Sequence, residues 1–150
     1  MIYNRTENDI ETARNLIETK VKNFAELTED DVAKIERGTF TVNTLNRIEQ
    51  KQAELKTLFN DIGYWNTPIT NRTWAEYDIF GELDFQRVLD NTNTLREAFF
   101  VYNNTPITPP ISYHYNDINA LEKILYDLEN MVNDMKIRYR QCGTFECGEE

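Results

Sequence analysis

The sequence is poor in basic residues, with one histidine, two cysteines and five glycines, and it lacks any long apolar run. Its 16 Lys and Arg stand against 26 Asp and Glu, a formal net charge of -10 with a pI near 4.6. The average field repels phosphate backbones and anionic lipid, so neither nucleic acid nor a membrane surface is expected as a partner. No apolar stretch approaches the roughly 18 residues that span a bilayer, and the opening "MIYNRTENDI" lacks the basic start and apolar stretch of a secretory signal. Synthesis in the cytoplasm is the expectation. With His114 the only histidine, a nucleophilic triad would rest on a residue flanked by Tyr113 and Tyr115 in a proline-rich loop. Cys142, Cys147 and His114 leave a tetrahedral zinc site one ligand short, at a cysteine spacing that no finger uses. A glycosidase-like pair of Asp78 and Glu82 would need a helix running through Gly81, and both acids read instead as helix-start residues. No catalytic residue, metal or cofactor is assigned, and the expected function is non-enzymatic.

What is present is helix. At 150 residues, 40% hydrophobic and 12% aromatic, the chain can bury one core beneath a polar surface. Thr6 and Thr28 read as N-caps of two short helices, the first with a stripe of Ile10, Ala13, Leu16 or Ile17, Val21 and Phe24. The second opens on Glu29, Asp30 and Asp31, which suit the positive end of a helix dipole, and closes at Gly38.

Three longer helices share one frame: "TLNRIEQKQAELKTLF" from 44, "DFQRVLDNTNTLREAF" from 84 and "DINALEKILYDLENMV" from 117. Apolar residues fall at frame positions 2, 5, 12 and 15 or 16. The third helix continues the pattern through Ile118, Leu121, Leu125, Leu128, Val132, Met135 and Tyr139, in steps of three and four, and is expected to run to Arg140. Lys136, Arg138 and Arg140 suit the negative end of its dipole. Where this helix has Leu125, the other two hold Gln52 and Thr92. These form either a buried polar pair or a wet margin of the core, and the margin is the preferred reading. The sequence thus predicts an all-α bundle of three principal helices and two short N-terminal ones over residues 1–140, with an extended tail over 141–150.

Two aromatic loops join the long helices, "GYWNTPITNRTWAEYDIFG" from 63 and "YNNTPITPPISYHY" from 102. "TWAE" at 73 has the form of a capping box, predicting a short helix that Gly81 ends. Trp74 and Phe80 are expected to plug the end of the bundle. The alternative is a sugar- or receptor-binding platform of Trp65, Trp74, Tyr77 and Tyr113, whose ring faces would stack on pyranose CH groups. The tail gives a third site: Cys142, Gly143, Thr144, Phe145, Glu146 and Cys147 are expected to form a short docking strand on a neighbouring subunit or partner. In an extended strand the two cysteines lie about 17 Å apart on opposite faces, so they are expected as free thiols.

The segment "WAEYDIFGELDFQRVLDNTNTLREAF" resembles a Trp-x-x-x-Asp-Ile segment followed by a helix with Leu-Arg-x-Ala-Phe, here Trp74, Asp78, Ile79, Arg87, Leu89, Asn91, Leu95, Arg96, Ala98 and Phe99. That pattern belongs to short phage and prophage proteins of Firmicutes encoded among tail and baseplate genes. "YNRTENDI", "NTLNRIE" and "NALEKILYDLENMV" are similar to further segments of the same family, as is the Gly-aromatic-Gly-Glu ending. The family has Asp-Ile-Pro-Thr where this chain has Asp78, Ile79, Phe80 and Gly81. The resemblance implies a virion structural or assembly role through contacts with copies of itself or other virion proteins, in the host cytoplasm during assembly and then in the virion.

Overall fold

Five helices carry the fold, a computed structural model described over residues 1–64, 68–112 and 114–142, with side chains placed through Arg138. They are α1 (Glu7–Leu16, continued by one π-helical stretch, Ile17–Val21), α2 (Glu29–Gly38), α3 (Val42–Asp61), α4 (Glu82–Ala98) and α5 (Tyr115–Cys142). There is no strand among the described residues. The all-α bundle with three principal helices is the architecture observed. Thr6 and Thr28 cap α1 and α2 as expected, each in a reciprocal box with Asp9 or Asp31.

α3, α4 and α5 all point the same way. Glu49 meets Arg87, Gln52 meets Thr92, and Phe59 packs on Phe99, so α3 and α4 ascend together. Arg47 meets Glu122, Lys51 meets Glu129, and Lys136 approaches Asp61, which gives α5 the same sense as α3. One frame recurs in three parallel helices because equivalent positions lie at equivalent heights. The main core is built from Ile48, Leu55, Val88, Leu95, Ile124 and Leu128 together with the residues above and below them. A second cluster of Phe85, Leu89, Ile118 and Leu121 closes the N-terminal end.

Parallel neighbours cannot be joined by tight turns. α3 is about 30 Å long at 1.5 Å per residue, so the chain must travel back that distance before α4 begins. The described residues of the two connections, 62–64 with 68–81 and 99–112 with 114, do so in largely extended form, lying against the helices they connect. Residues 1–6 lie similarly against α5: Tyr3 stacks on Tyr126 at 4.8 Å, and Asn119 both accepts from and donates to the Arg5 backbone.

The wet-margin reading of Gln52 and Thr92 is overturned. Both are fully buried, with Gln52 Nε2 donating to Thr92 Oγ1 and to the Val88 carbonyl at 2.8 Å each. Gln52 Oε1 accepts from Asn71 and Asn91, so the buried amide is satisfied on both sides and its burial costs little. Two boundaries also differ. α5 runs past Arg140, so Gln141 and Cys142 are helical and not the start of an extended tail. Phe24 leaves the expected apolar stripe: it is exposed with φ 53°, because the chain turns back there toward α2.

α1 and α2 form an antiparallel hairpin at the N-terminal end, pinned by Lys20–Asp31 and Arg37–Asp9. Gly38 is required by closeness of approach, since a Cβ there would lie 2.2 Å from the Asp9 carbonyl oxygen and 2.4 Å from the Ala13 Cβ. Gly38→Ala should therefore cost about 1–3 kcal/mol by overpacking. Leu128→Ala, in the centre of the main core, should cost about 2–5 kcal/mol. Urea melts measure both, and a Gly38→Ala melt equal to wild type would mean that the hairpin does not close as described.

Candidate functional site

The return segment between α3 and α4 is held by many side-chain hydrogen bonds over its described residues, and Glu49 is its anchor. Glu49 sits one residue after the core position Ile48, and its side chain is almost wholly buried. Its carboxylate accepts from Arg87 (2.5 and 2.9 Å), the Arg72 amide (2.7 Å) and the Trp74 indole N–H (2.9 Å). Around it, side-chain amides replace a neighbouring strand. Asn46 accepts from the Trp74 amide at 2.8 Å and donates to the Trp74 carbonyl at 2.9 Å, and Asn91 makes the same two-way contact with Thr70. Asn suits this role because its amide offers donor and acceptor side by side, as a peptide group does.

These bonds explain why the short helix expected from "TWAE" does not form. Residues 73–80 run in extended and turn conformation, because Asn46 takes the Trp74 carbonyl, the acceptor that a helix begun at Thr73 would offer to the Asp78 amide, and holds the Trp74 amide as well. Asp78 holds a loop amide, accepting from Ala75 N at 2.9 Å, and pairs with Arg72 at 3.2 Å. Gly81 is the N-cap of α4 and does not end a preceding helix.

The segment divides into an inward and an outward half. Trp74 is 3% exposed, with the Arg72 guanidinium 4.1 Å above its ring and the Phe80 edge at 5.2 Å. Phe40, Phe80 and Phe85 complete the cluster, with centroids 5.7 to 6.0 Å apart. By contrast Tyr77 is 90%, Ile79 89% and Leu83 87% exposed. The indole face of Trp74 is therefore not open to a stacking ligand, and the structure does not bring Trp74 and Tyr77 onto one platform. Trp65 and Tyr113 lie outside the described residues. Of the docking strand, Cys142 is the last residue of α5, while Gly143, Thr144, Phe145, Glu146 and Cys147 lie outside the described residues.

A cavity of about 530 Å³ opens where α1 meets the start of α5, lined by Ile10, Arg14, Phe40, His114 and Tyr115 among others. His114 serves the helix there. Its carbonyl accepts from the amides of Asp117 and Ile118, its Nδ1 accepts from the Asn116 amide at 3.4 Å, and its ring packs on Tyr115 at 4.6 Å. Among the described residues, no group of three or more His, Cys, Asp or Glu is placed to hold a metal ion, and no helix is long and apolar enough to cross a membrane.

The sequence reading missed three buried carboxylates that hold irregular segments to helices. Besides Glu49, Glu122 pairs with Arg5 and Arg47, and Asp127 accepts from Thr105 while pairing with Lys123. A signal existed for two of them. Glu49 and Glu122 share frame position 6, where α4 has the core residue Leu89. No protein-family model matches this chain, and no curated protein or solved structure is significantly similar to it.

Burial pushes the Glu49 carboxyl up, but Arg87, the Arg72 amide and the Trp74 indole outweigh it and hold the group below its ordinary value of 4.5. Such a group stabilises the fold fully above its unfolded pKa and loses that contribution as pH falls through the lower folded value. Glu49→Gln should cost about 3 kcal/mol at pH 7, as for a broken buried pair. It should also show a shallower loss of stability than wild type below about pH 4.5. Equal pH slopes in acid-titrated urea melts would remove Glu49 from this role.

Proposed function

We propose that the chain is a non-enzymatic structural or assembly protein of a bacteriophage tail or baseplate, acting through contacts with copies of itself or with other virion proteins. The setting rests on the resemblance carried by Trp74, Asp78, Ile79 and the Leu95–Phe99 stretch. The mode of action rests on one observation: a loop fixed from beneath by Glu49, Asn46 and Asn91, and the first turn of α4 that follows it, hold Tyr77, Ile79 and Leu83 almost fully in solvent. Apolar side chains exposed on a fixed backbone favour a protein partner, because little ordering entropy is left to lose on binding. The burial of Trp74 counts against the carbohydrate-binding alternative, which needs that ring face free. In this reading the protein is made in the host cytoplasm and ends in the virion.

Particles induced from the phage that encodes the chain, purified on a density gradient, should contain it by mass spectrometry. Deleting the gene should abolish plaque formation or yield tail-defective particles by electron microscopy. The triple variant Tyr77→Ser, Ile79→Ser, Leu83→Ser should reproduce that defect while keeping the wild-type circular dichroism. Normal plating of the deletion, with particles that never held the chain, would overturn the proposal.

A further inference from the structure

The extended segments "MIYNRT", residues 1–6, and "PITNRT", residues 68–73, agree at four of six positions: Ile2 with Ile69, Asn4 with Asn71, Arg5 with Arg72 and Thr6 with Thr73. Both are anchored at frame position 6 of a long helix. Arg5 Nη1 donates to Glu122 of α5, and the Arg72 amide donates to Glu49 of α3. The two arginines differ in what meets the other nitrogen of the guanidinium. Arg72 Nη2 lies 3.2 Å from the Asp78 carboxylate, on a side chain that is 46% exposed. The Arg5 side chain is only 2% exposed, and its Nη2 is buried with no hydrogen-bond partner among the described residues. Glu11, at the same spacing from Arg5 as Asp78 from Arg72, stands exposed on α1 and makes no contact with Arg5. A buried donor without an acceptor is rare in a folded protein, so the place before Arg5 calls for one.

Arg5 belongs to the lining of the 530 Å³ cavity between α1 and the start of α5, and is its one buried charged residue among those described. Ile10, Phe40 and Ile118 give the same cavity an apolar wall. Two more donors stand in the lining. Arg14 makes no ion pair among the described residues, and His114 Nδ1 accepts from the Asn116 amide, which leaves the ring hydrogen on Nε2. The geometry points to a carboxylate joined to an apolar body as the ligand of this cavity, its oxygens taking the place before Arg5 that Asp78 takes before Arg72. The site uses none of Tyr77, Ile79 and Leu83 and does not depend on the virion reading. Its volume lies within the range of about 300–1,000 Å³ that small-ligand sites occupy. Glu7 and Glu11, exposed one turn apart in the lining, repel a ligand with more than one negative charge, so inorganic phosphate is disfavoured. Two sources offer the required chemistry: a free aliphatic or aromatic acid, and the C-terminal residue of a protein chain, whose α-carboxylate adjoins a side chain.

Titration of the isotope-labelled full chain with phenylbutyrate, followed by amide NMR shifts, should move the signals of Ile10, Phe40 and Ile118 and saturate with a Kd of about 1 mM or tighter. Phenylbutyramide, which keeps the apolar body and loses the charge, should bind at least about tenfold more weakly. The peptide acetyl-Gly-Gly-Phe, as free acid and as amide, separates the sources. Tighter binding of the peptide acid than of phenylbutyrate assigns the site to a chain terminus, and the reverse order assigns it to a free acid. Arg5→Lys keeps a cation for Glu122 but removes Nη2, and should weaken phenylbutyrate binding at least about tenfold. If that variant loses helical circular dichroism, the exposed Arg14→Gln decides in its place, with a loss of about threefold or more. Failure of both acids to bind would mean that water alone satisfies Arg5 and would overturn the inference. So would equal binding of acid and amide, equal shifts with inorganic phosphate, or wild-type affinity in the deciding variant.

Discussion

The parallel alignment of α3, α4 and α5 is the constraint from which the rest of the molecule follows. Antiparallel helices can be joined by a few residues, but parallel ones oblige the chain to return the length of the bundle outside the core. An extended return segment has backbone donors and acceptors that no helix satisfies, and each must find a partner or stay in water. Here the helices supply the partners from side chains. Asn46, Asn91 and Asn119 act as lone peptide groups toward Trp74, Thr70 and Arg5, and Glu49, Glu122 and Asp127 take donors from the same segments or from the residues beside them. The buried polar groups are therefore the means by which a parallel bundle keeps its connections dry and in place.

The same groups show how deep the internal repeat goes. Arg47, at frame position 4 of α3, pairs with Glu122 at position 6 of α5, and Arg87, at position 4 of α4, pairs with Glu49 at position 6 of α3. In the remaining pair of helices both places are apolar, Ala120 on α5 and Leu89 on α4, and Leu89 packs with Ile118 and Leu121. A lone Arg or Glu at that third interface would be a charge buried without its partner, which costs more than having neither. The three interfaces thus keep one geometry with two chemistries, and each is internally matched.

Much of this architecture can be read in the sequence because helical periodicity and capping are local. Thr6 with Asp9 and Thr28 with Asp31 announce their helices within four residues, and the shared frame of the three long helices names Leu55, Leu95 and Leu128 as core before any fold is known. What could not be read depends on partners distant in sequence. Gln52 looks like a margin residue until Asn71, Val88, Asn91 and Thr92 surround it. "TWAE" looks like a helix start until Asn46, 28 residues earlier, takes the Trp74 backbone. Trp74 and Tyr77 are three residues apart and equally plausible as ligand rings, and only the fold separates them into a buried indole and a solvent-facing phenol.

A parallel bundle also has two unlike ends, and that polarity organises its surface. The three dipoles add instead of cancelling, a modest unfavourable term that acidic residues near the helix starts, Glu82, Asp84 and Asp117, offset on α4 and α5. At the N-terminal end the α1–α2 hairpin, Phe40 and the Trp74 cluster cover the core, while Tyr77, Ile79 and Leu83 beside that cluster stay in solvent. At the C-terminal end, among the described residues, no further helix covers the ends of α3 and α4, and α5 runs on to Cys142. An antiparallel bundle would mix starts and ends on each face and blur this distinction. The parallel bundle instead separates them, with the helix starts and the covering hairpin at one end and the helix ends at the other.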